Sequence, residues 1–305
     1  MAESPVTPVT PVIPVIPGIV LVDKEGGWTS HDLVAKARGI FNTRRVGHAG
    51  TLDPMATGLV ILGVGGATRL LGYVSDAGKS YQGTILLGAM TNTDDADGEV
   101  IGRASTEDIA KVDDEEIAAG VKGLTGSIMQ RPSNFSAIKV NGIRSYARAR
   151  AGEEFELAAR EIHVEKFVIV DTRRNEDSIE VDVFVTCSSG TYIRALARDL
   201  GEMLGVGGHL TSLRRTSIGG FTIEDAVKID QIADRRIPLG EAAARILPTR
   251  KVDLDEQVLL RNGRAIFAVG KVGAYAALNT GGDLVALLQE EGERAKPIAV
   301  FLEEA

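Results

Sequence analysis

A chain of 305 residues with 44% apolar content is long enough for one large domain and a small one, and its lone cysteine, Cys187, excludes an intramolecular disulfide. No Cys/His cluster has zinc-site spacing, no run approaches the roughly 18 to 20 apolar residues of a membrane span, and no basic residue precedes Lys24 to serve a signal peptide. A cytoplasmic protein without membrane association is expected. The net charge of −8 argues against a uniformly basic nucleic-acid binder, yet the charge is segregated. Arg131, Lys139, Arg144, Arg148 and Arg150 have no Asp or Glu among them, while acids gather in TNTDDADGE, VDDEE and QEEGE.

Proline recurs at 5, 8, 11, 14 and 17, the three-residue period of polyproline II, so residues 1–17 are expected to form an extended or disordered tail. GIVLVDK predicts a buried strand. TSHDLVAKARGIF predicts a helix capped near Thr29 or Ser30, with Leu33, Val34, Ala37, Ile40 and Phe41 on one stripe. RRVGHAGTLDPMATG reads as glycine-rich and irregular, followed by the apolar LVILGVG and the strand YQGTILLG. EVDVFVTCS alternates with period two, and YIRALARDLGEML predicts a helix that buries Ile193, Leu196, Ala197, Leu200 and Leu204 and stops at Gly205. Strands and helices mix without βαβ regularity, which favours an α+β fold built on a mixed sheet. The last stretch (RNGRAIFAVG, AYAALNT, GGDLVALLQ, KPIAVFLEE) reads as short strands joined by glycine turns. The expected division is tail 1–17, catalytic unit 18–248 with an insertion at about 130–160, and a small β unit 249–305.

The candidate chemistry centres on Asp53. Gly47, Gly50 and Gly58 free the backbone around it, and Pro54 pushes Asp53 out of the helical region. A carboxylate presented from such a loop suits a nucleophile or a base, although an isolated Asp-Pro is usually only a turn. Its setting, GHAGTLDPMATGLVILGVGGATRL over residues 47–70, resembles the signature of the TruB family of pseudouridine synthases, which modify uridine 55 of tRNA. The resemblance continues in KSYQGTILLG, RPSNFSAIKVNGIRSYARAR, SSGTYIRALARDLG and GGHLTSLRRTSIG, and covers nearly all the chain from about residue 18. The C-terminal part is similar, less specifically, to a PUA domain, a small RNA-binding β barrel.

The resemblance implies a pseudouridine synthase fold and makes Asp53 the catalytic residue, acting at C1′ or C6 of the nucleotide or on a sugar proton. It places His48, Tyr81, Tyr192 and Leu213 against substrate, with Tyr81 opening a strand beside the target base. Arg194 is the expected partner of the carboxylate, because a guanidinium pairs bidentately and stays charged. Lys139 is expected near the site, and Arg144, Arg148, Arg150, Arg214 and Arg215 are candidates for the RNA backbone. His31, His163 and His209 read as ordinary surface or satisfied residues. The implied partner is the tRNA T stem-loop, bound by a monomer, and other protein partners are left open.

Isomerisation involves no redox change, so no cofactor is expected, and no metal. TDDADG fails as a calcium loop: aligning Gly98 to the required glycine puts Thr93 first and Ala104 at the bidentate acid position. GVGGATR lacks the Lys-Ser/Thr of a P-loop. Two other readings compete: an RNA-folding module that does not use Asp53 chemically, and a hydrolase, which the lack of a second carboxylate, metal set or histidine base disfavours.

Overall fold

The computed structural model describes residues 16–301 except 134, 136–138, 141, 142, 146–152, 154 and 156, and omits the side chains of 139, 140, 143 and 144. The chain begins with β1 (Gly18–Lys24), α1 (Ser30–Ile40), β2 (Val46–Ala49), β3 (Thr57–Val64), α2 (Leu71–Asp76) and β4 (Lys79–Leu87). The hairpin of β5 (Ala89–Thr91) and β6 (Val100–Arg103), then α3 (Thr106–Lys111) and α4 (Asp114–Gly123), lead to β7 (Gly126–Gln130). A small hairpin, β8 (Lys139–Val140) and β9 (Ile143–Arg144), precedes β10 (Arg160–Arg174), β11 (Ile179–Cys187), α5 (Ile193–Met203), β12 (Gly208–Ile218) and β13 (Phe221–Thr222).

Among the described residues these strands build a nine-stranded sheet in the order β1-β3-β12-β4-β11-β10-β7, with β2 on β3 and β13 on β12. Pairing is antiparallel except for a short parallel contact of β12 with β3, so the sheet is mixed and the fold is α+β as expected. The parallel step places Arg215 beside Gly58, whose φ is +99°. A Cβ on Gly58 would lie 2.3 Å from the Arg215 carbonyl oxygen, so only glycine lets the two backbones meet there.

Periodicity explains most elements. β11 alternates buried and half-buried residues along its whole length, as a strand with one face on the core must. α1 starts at a Thr29 cap in a reciprocal capping box with Asp32. α5 buries Ile193, Leu196 and Leu200, each contributing on the order of 1.5 to 3 kcal/mol. Its Gly201 sits so close to the turn before β12 that a Cβ would fall 2.1 Å from the Gly207 carbonyl carbon.

Two expectations change. The segment read as irregular contains β2, whose residues Val46 to Ala49 pair with Val64 to Ile61, because glycine masks a strand pattern without removing its hydrogen bonds. The strand holding Tyr81 starts at Lys79, so Tyr81 does not open it; the tyrosine lies between Val185 and Arg215 on neighbouring strands and is buried.

Beyond the large sheet come α6 (Leu239–Ala244), β14 (Thr249–Lys251), α7 (Leu254–Arg261), β15 (Ile266–Phe267), β16 (Tyr275–Leu278), β17 (Leu284–Glu291) and β18 (Arg294–Val300). The strands form a five-stranded sheet in the order β14-β16-β17-β18-β15. Two apolar clusters bracket the large sheet. The first packs α1, α4 and α5 against it. The second joins Ile19, Leu21, Leu59 and Ile61 to Ala276, Leu284, Leu287 and Phe301 of the C-terminal sheet. Arg69 reinforces that junction, donating to the Val300 carbonyl at 2.6 Å and covering the Phe301 ring at 4.1 Å.

Candidate active site

The loop between β2 and β3 is held from behind by cations that bond its carbonyls. Arg215 is buried, and its guanidinium donates to Leu59 O at 2.7 Å, Gly50 O at 3.0 Å and Thr51 O at 3.5 Å. Lys24, also buried, donates to Glu25 O, Trp28 O and Pro54 O at 2.9, 2.8 and 3.1 Å. Burial lowers its ammonium to about 8, against which the nearby Asp53 acts. Leu52 N–H donates to Ser30 Oγ at 3.1 Å and Gly27 N–H to Pro54 O at 2.8 Å, so α1 and its approach fix the same loop. The contacts to Gly50, Thr51, Leu52 and Pro54 act on the backbone around Asp53 and none of them occupies its carboxylate.

In front stands Arg194, in the first turn of α5. Its Nη2 donates to Asp53 Oδ1 at 3.0 Å, while Nε lies 2.9 Å from Oδ2 outside hydrogen-bonding direction and adds only ionic attraction. The guanidinium side chain is 5% exposed and the carboxylate side chain 34%, so the pair is anchored on the protein side and open on the other. Such a pair holds an ionised oxygen at a fixed place while solvent or substrate reaches it.

Arg194 has further partners. Nη1 donates to Thr93 O at 2.9 Å and lies 3.3 Å from Asp95 Oδ2, and Nη2 also donates to Phe135 O at 3.0 Å. Asp95 is itself fixed, its Oδ1 accepting from Thr93 Oγ1 at 2.6 Å and Asp97 N at 3.1 Å. Next to it, burial pushes the Asp94 carboxyl up, opposed by Arg198, whose Nη1 is 3.3 Å away. A cleft of about 500 Å³ opens beyond Asp94 and Arg198; Asp53 does not line it, and the loop carrying Asp94 and Asp95 separates the two.

Leu213 is buried on β12, and its carbonyl accepts from Thr57 Oγ1 at 3.4 Å, just past the Asp53 loop. Burial raises the Tyr81 hydroxyl above its ordinary value, with Arg215 pulling the other way. Tyr192 immediately precedes α5, partly exposed, with the Arg160 guanidinium 5.2 Å from its ring centroid. His48 lies on β2 in edge-to-face contact with His31, ring centroids 5.3 Å apart. Burial first, then His31 and Arg215, lower its basicity, and its Nδ1 has no hydrogen-bond partner among the described residues.

The cationic expectations divide. Arg214 is partly exposed but its guanidinium is engaged by Asp23 at 2.9 and 3.2 Å. Arg215 departs from the expectation of a phosphate contact: it points inward and its donors are spent on the Asp53 loop. The side chains of Lys139 and Arg144, and Arg148 and Arg150 altogether, lie outside the described residues. Sequence reasoning missed Asp95 and Lys24. Asp95 sat in an acidic run weighed only as a calcium loop, and a lysine closing an apolar strand was the available signal for Lys24.

Residues 38–193 match the TruB family pseudouridylate synthase (N terminal domain), residues 194–251 the tRNA pseudouridylate synthase B C-terminal domain, and residues 247–302 the tRNA Pseudouridine synthase II, C terminal. The chain belongs to the TruB family of pseudouridine synthases. It is an isomerase by that membership. Among its TruB relatives, the tRNA pseudouridine synthase B of Nocardia farcinica is 51% identical over 286 residues, spanning 93% of this chain and 92% of that protein. That of Rhodococcus jostii is 52% identical over 287 residues, with 93% of each covered. Two solved structures share the TruB chain's fold with a TM-score of 0.70: an H/ACA RNP bound to a substrate RNA containing 2′-deoxyuridine, at 22% identity, and a Cbf5-Nop10-Gar1 complex, at 24%. Each match covers 94% of this chain and 85% or 84% of the other.

Proposed function

We propose that this TruB family member isomerises uridine 55 in the T loop of tRNA to pseudouridine, with Asp53 as the catalytic carboxylate. The observation that carries the reading is one carboxyl side chain, rigid in its backbone, paired to a buried guanidinium and open on its remaining face. The reaction breaks the bond from ribose C1′ to uracil N1, turns the base, and joins C1′ to C5. The proton leaving C5 is balanced by one gained at N1, so no oxidant enters. Asp53 serves as nucleophile at C1′ or C6, or as base toward a sugar proton, and each route needs its oxygen close to the glycosidic bond.

A loop nucleotide reaches that oxygen only when drawn from its stack, at a cost of a few kcal/mol. His48 beside the loop offers a ring to stack on neighbouring bases, Leu213 and Tyr81 supply apolar walls, and Tyr192 closes the side nearest Arg194. Lys139, Arg144, Arg148, Arg150 and Arg214 are the proposed phosphate contacts. Residues 18–248 form the catalytic unit in this reading, and the C-terminal sheet within 249–305 is an RNA-binding unit of PUA type. With a net charge of −8 over the whole chain, affinity is expected to fall steeply with salt.

The test is incubation with an unmodified tRNA transcript followed by base-resolution mapping of pseudouridine. The wild-type chain should modify position 55, and Asp53→Asn should abolish the product while still binding the transcript. Product at another uridine overturns the specificity; unchanged turnover by Asp53→Asn overturns the mechanism.

A further inference from the structure

The chain leaves the large sheet at Gln130, the last residue of β7, and returns at Arg160, the first of β10; the two are register partners across that antiparallel pair. Both grip one turn. Gln130 is fully buried, its Nε2 donating to the Tyr192 carbonyl at 3.0 Å and its Oε1 accepting the Tyr192 N–H at 2.8 Å. Arg160 donates to the Gly190 carbonyl and covers the Tyr192 ring at 5.2 Å. Gly190 has a φ of +83°, so the turn is sharp where Arg160 holds it.

Tyr192 stands at the cap of α5 without a side-chain hydrogen bond of its own, and Arg194 follows in the first helical turn. Gln130, from another strand, bonds the N–H and the carbonyl of that cap residue and so fixes the peptide groups on both sides of Tyr192. β7 is the edge of the sheet and its other residues are exposed or half-buried. Burying an uncharged amide at that one position is costly unless both its polar ends are used, and here both are used on the same residue. The segment after Gln130 continues the attachment: Arg131 O accepts from Arg198, Ser133 Oγ donates to Thr93 O, and Phe135 O accepts from Arg194.

We infer that Gln130 and Arg160 are positioning residues for the isomerisation, holding the Gly190–Arg194 turn so that the guanidinium of Arg194 meets Asp53 in register. The inference rests on the roles of Asp53 and Arg194 given above. It explains why a fully buried amide and a half-buried guanidinium, neither touching the carboxylate, converge on one turn.

The test replaces Gln130 by Met, which keeps the side-chain length without either hydrogen bond, and by Glu, which keeps only the acceptor for the Tyr192 N–H. Arg160→Met, on a partly exposed side chain, is the second, milder variant. Single-turnover tritium release from a transcript labelled at uracil C5 is measured at saturating enzyme, alongside RNA affinity by filter binding and the melting temperature. A displacement approaching an ångström at a catalytic group costs about 100-fold, so Gln130→Met should lose about that factor with RNA affinity unchanged. Gln130→Glu should fall between it and wild type, and Arg160→Met should lose about tenfold. A wild-type rate for Gln130→Met, or a loss that saturating RNA removes, overturns the inference. If Gln130→Met does not fold, Arg160→Met decides: slow turnover at an unchanged melting temperature supports the inference, and wild-type turnover overturns it. The ¹⁵N signal of the Arg194 side chain, assigned by its loss in Arg194→Lys, gives a readout without turnover. It should shift in Gln130→Met and Arg160→Met, and an unmoved signal overturns the inference even if the unsubstituted enzyme releases no tritium, an outcome that removes the Asp53 reading instead.

Discussion

Two buried guanidinium groups flank the Asp53 loop, Arg194 in front and Arg215 behind, and their surroundings differ in kind. Arg194 faces two carboxylates, Asp53 and Asp95, together with two carbonyls. Arg215 faces no carboxylate: its donors meet the carbonyl oxygens of Leu59, Gly50 and Thr51, with the Tyr81 hydroxyl beside it. A guanidinium bonded to neutral carbonyls fixes a backbone and has no anion to orient. One paired with a half-open carboxylate fixes the position of a reactive charge. The same side chain thus builds the loop on one side and, in the proposed reaction, orients its carboxylate on the other.

The largest expected effect tests the front. Arg194→Lys keeps the charge but loses the planar fork, and single-turnover rate should fall by about 10² to 10³, comparable with removing an electrostatic donor at an active site. RNA affinity should hold, so a matching loss of binding in a filter assay would place Arg194 on the RNA instead. Arg215→Met tests the back. Leaving buried carbonyls without donors should cost about 2 to 4 kcal/mol of stability, read as a lower urea midpoint. Full stability with lost RNA affinity would return Arg215 to the phosphate-binding set.

The smallest effect concerns pH. Burial lowers Lys79, which donates to Ser75 O and Ala77 O at 2.8 Å each, from 10.5 to about 8. Between those values the unfolded chain holds the proton more firmly than the folded one, so stability at this site rises with pH across the window. The burial penalty is fully felt below about pH 8 and fades toward 10.5. The urea midpoint of wild type relative to Lys79→Met should therefore improve between pH 7.5 and 10, and a constant difference would mean Lys79 keeps its proton. Two carbonyls match the two N–H bonds of a neutral amine, whereas Lys24 serves three and needs the ammonium form.

What the sequence conveyed follows the range of each interaction. The Asp53 loop and the helix bearing Arg194 were legible because Gly, Pro and 3.6-residue periodicity act locally. Arg215 was misassigned although period two puts it on the buried face with Leu213 and sends Arg214 outward; the paired arginines were read by charge before face. Asp95 meets Arg194 only through the fold, and nothing local in TNTDDADGE marks which of its acids turns inward. Gln130 has the same character: an amide at the end of an edge strand is unremarkable until Tyr192 is brought against it.

The apolar cluster shared by β1, β3 and the C-terminal sheet bears on how the proposed RNA-binding role of that sheet can be studied. Truncation after residue 248 would strip Phe301, Leu284 and Leu287 from the rear of the strand that follows the Asp53 loop and expose that rear to water. The two halves should melt in one cooperative transition, and a shortened chain would lose catalysis through a loosened foundation before any contribution to RNA capture was removed. Point changes on the outer surface of that sheet are the way to separate grip from chemistry.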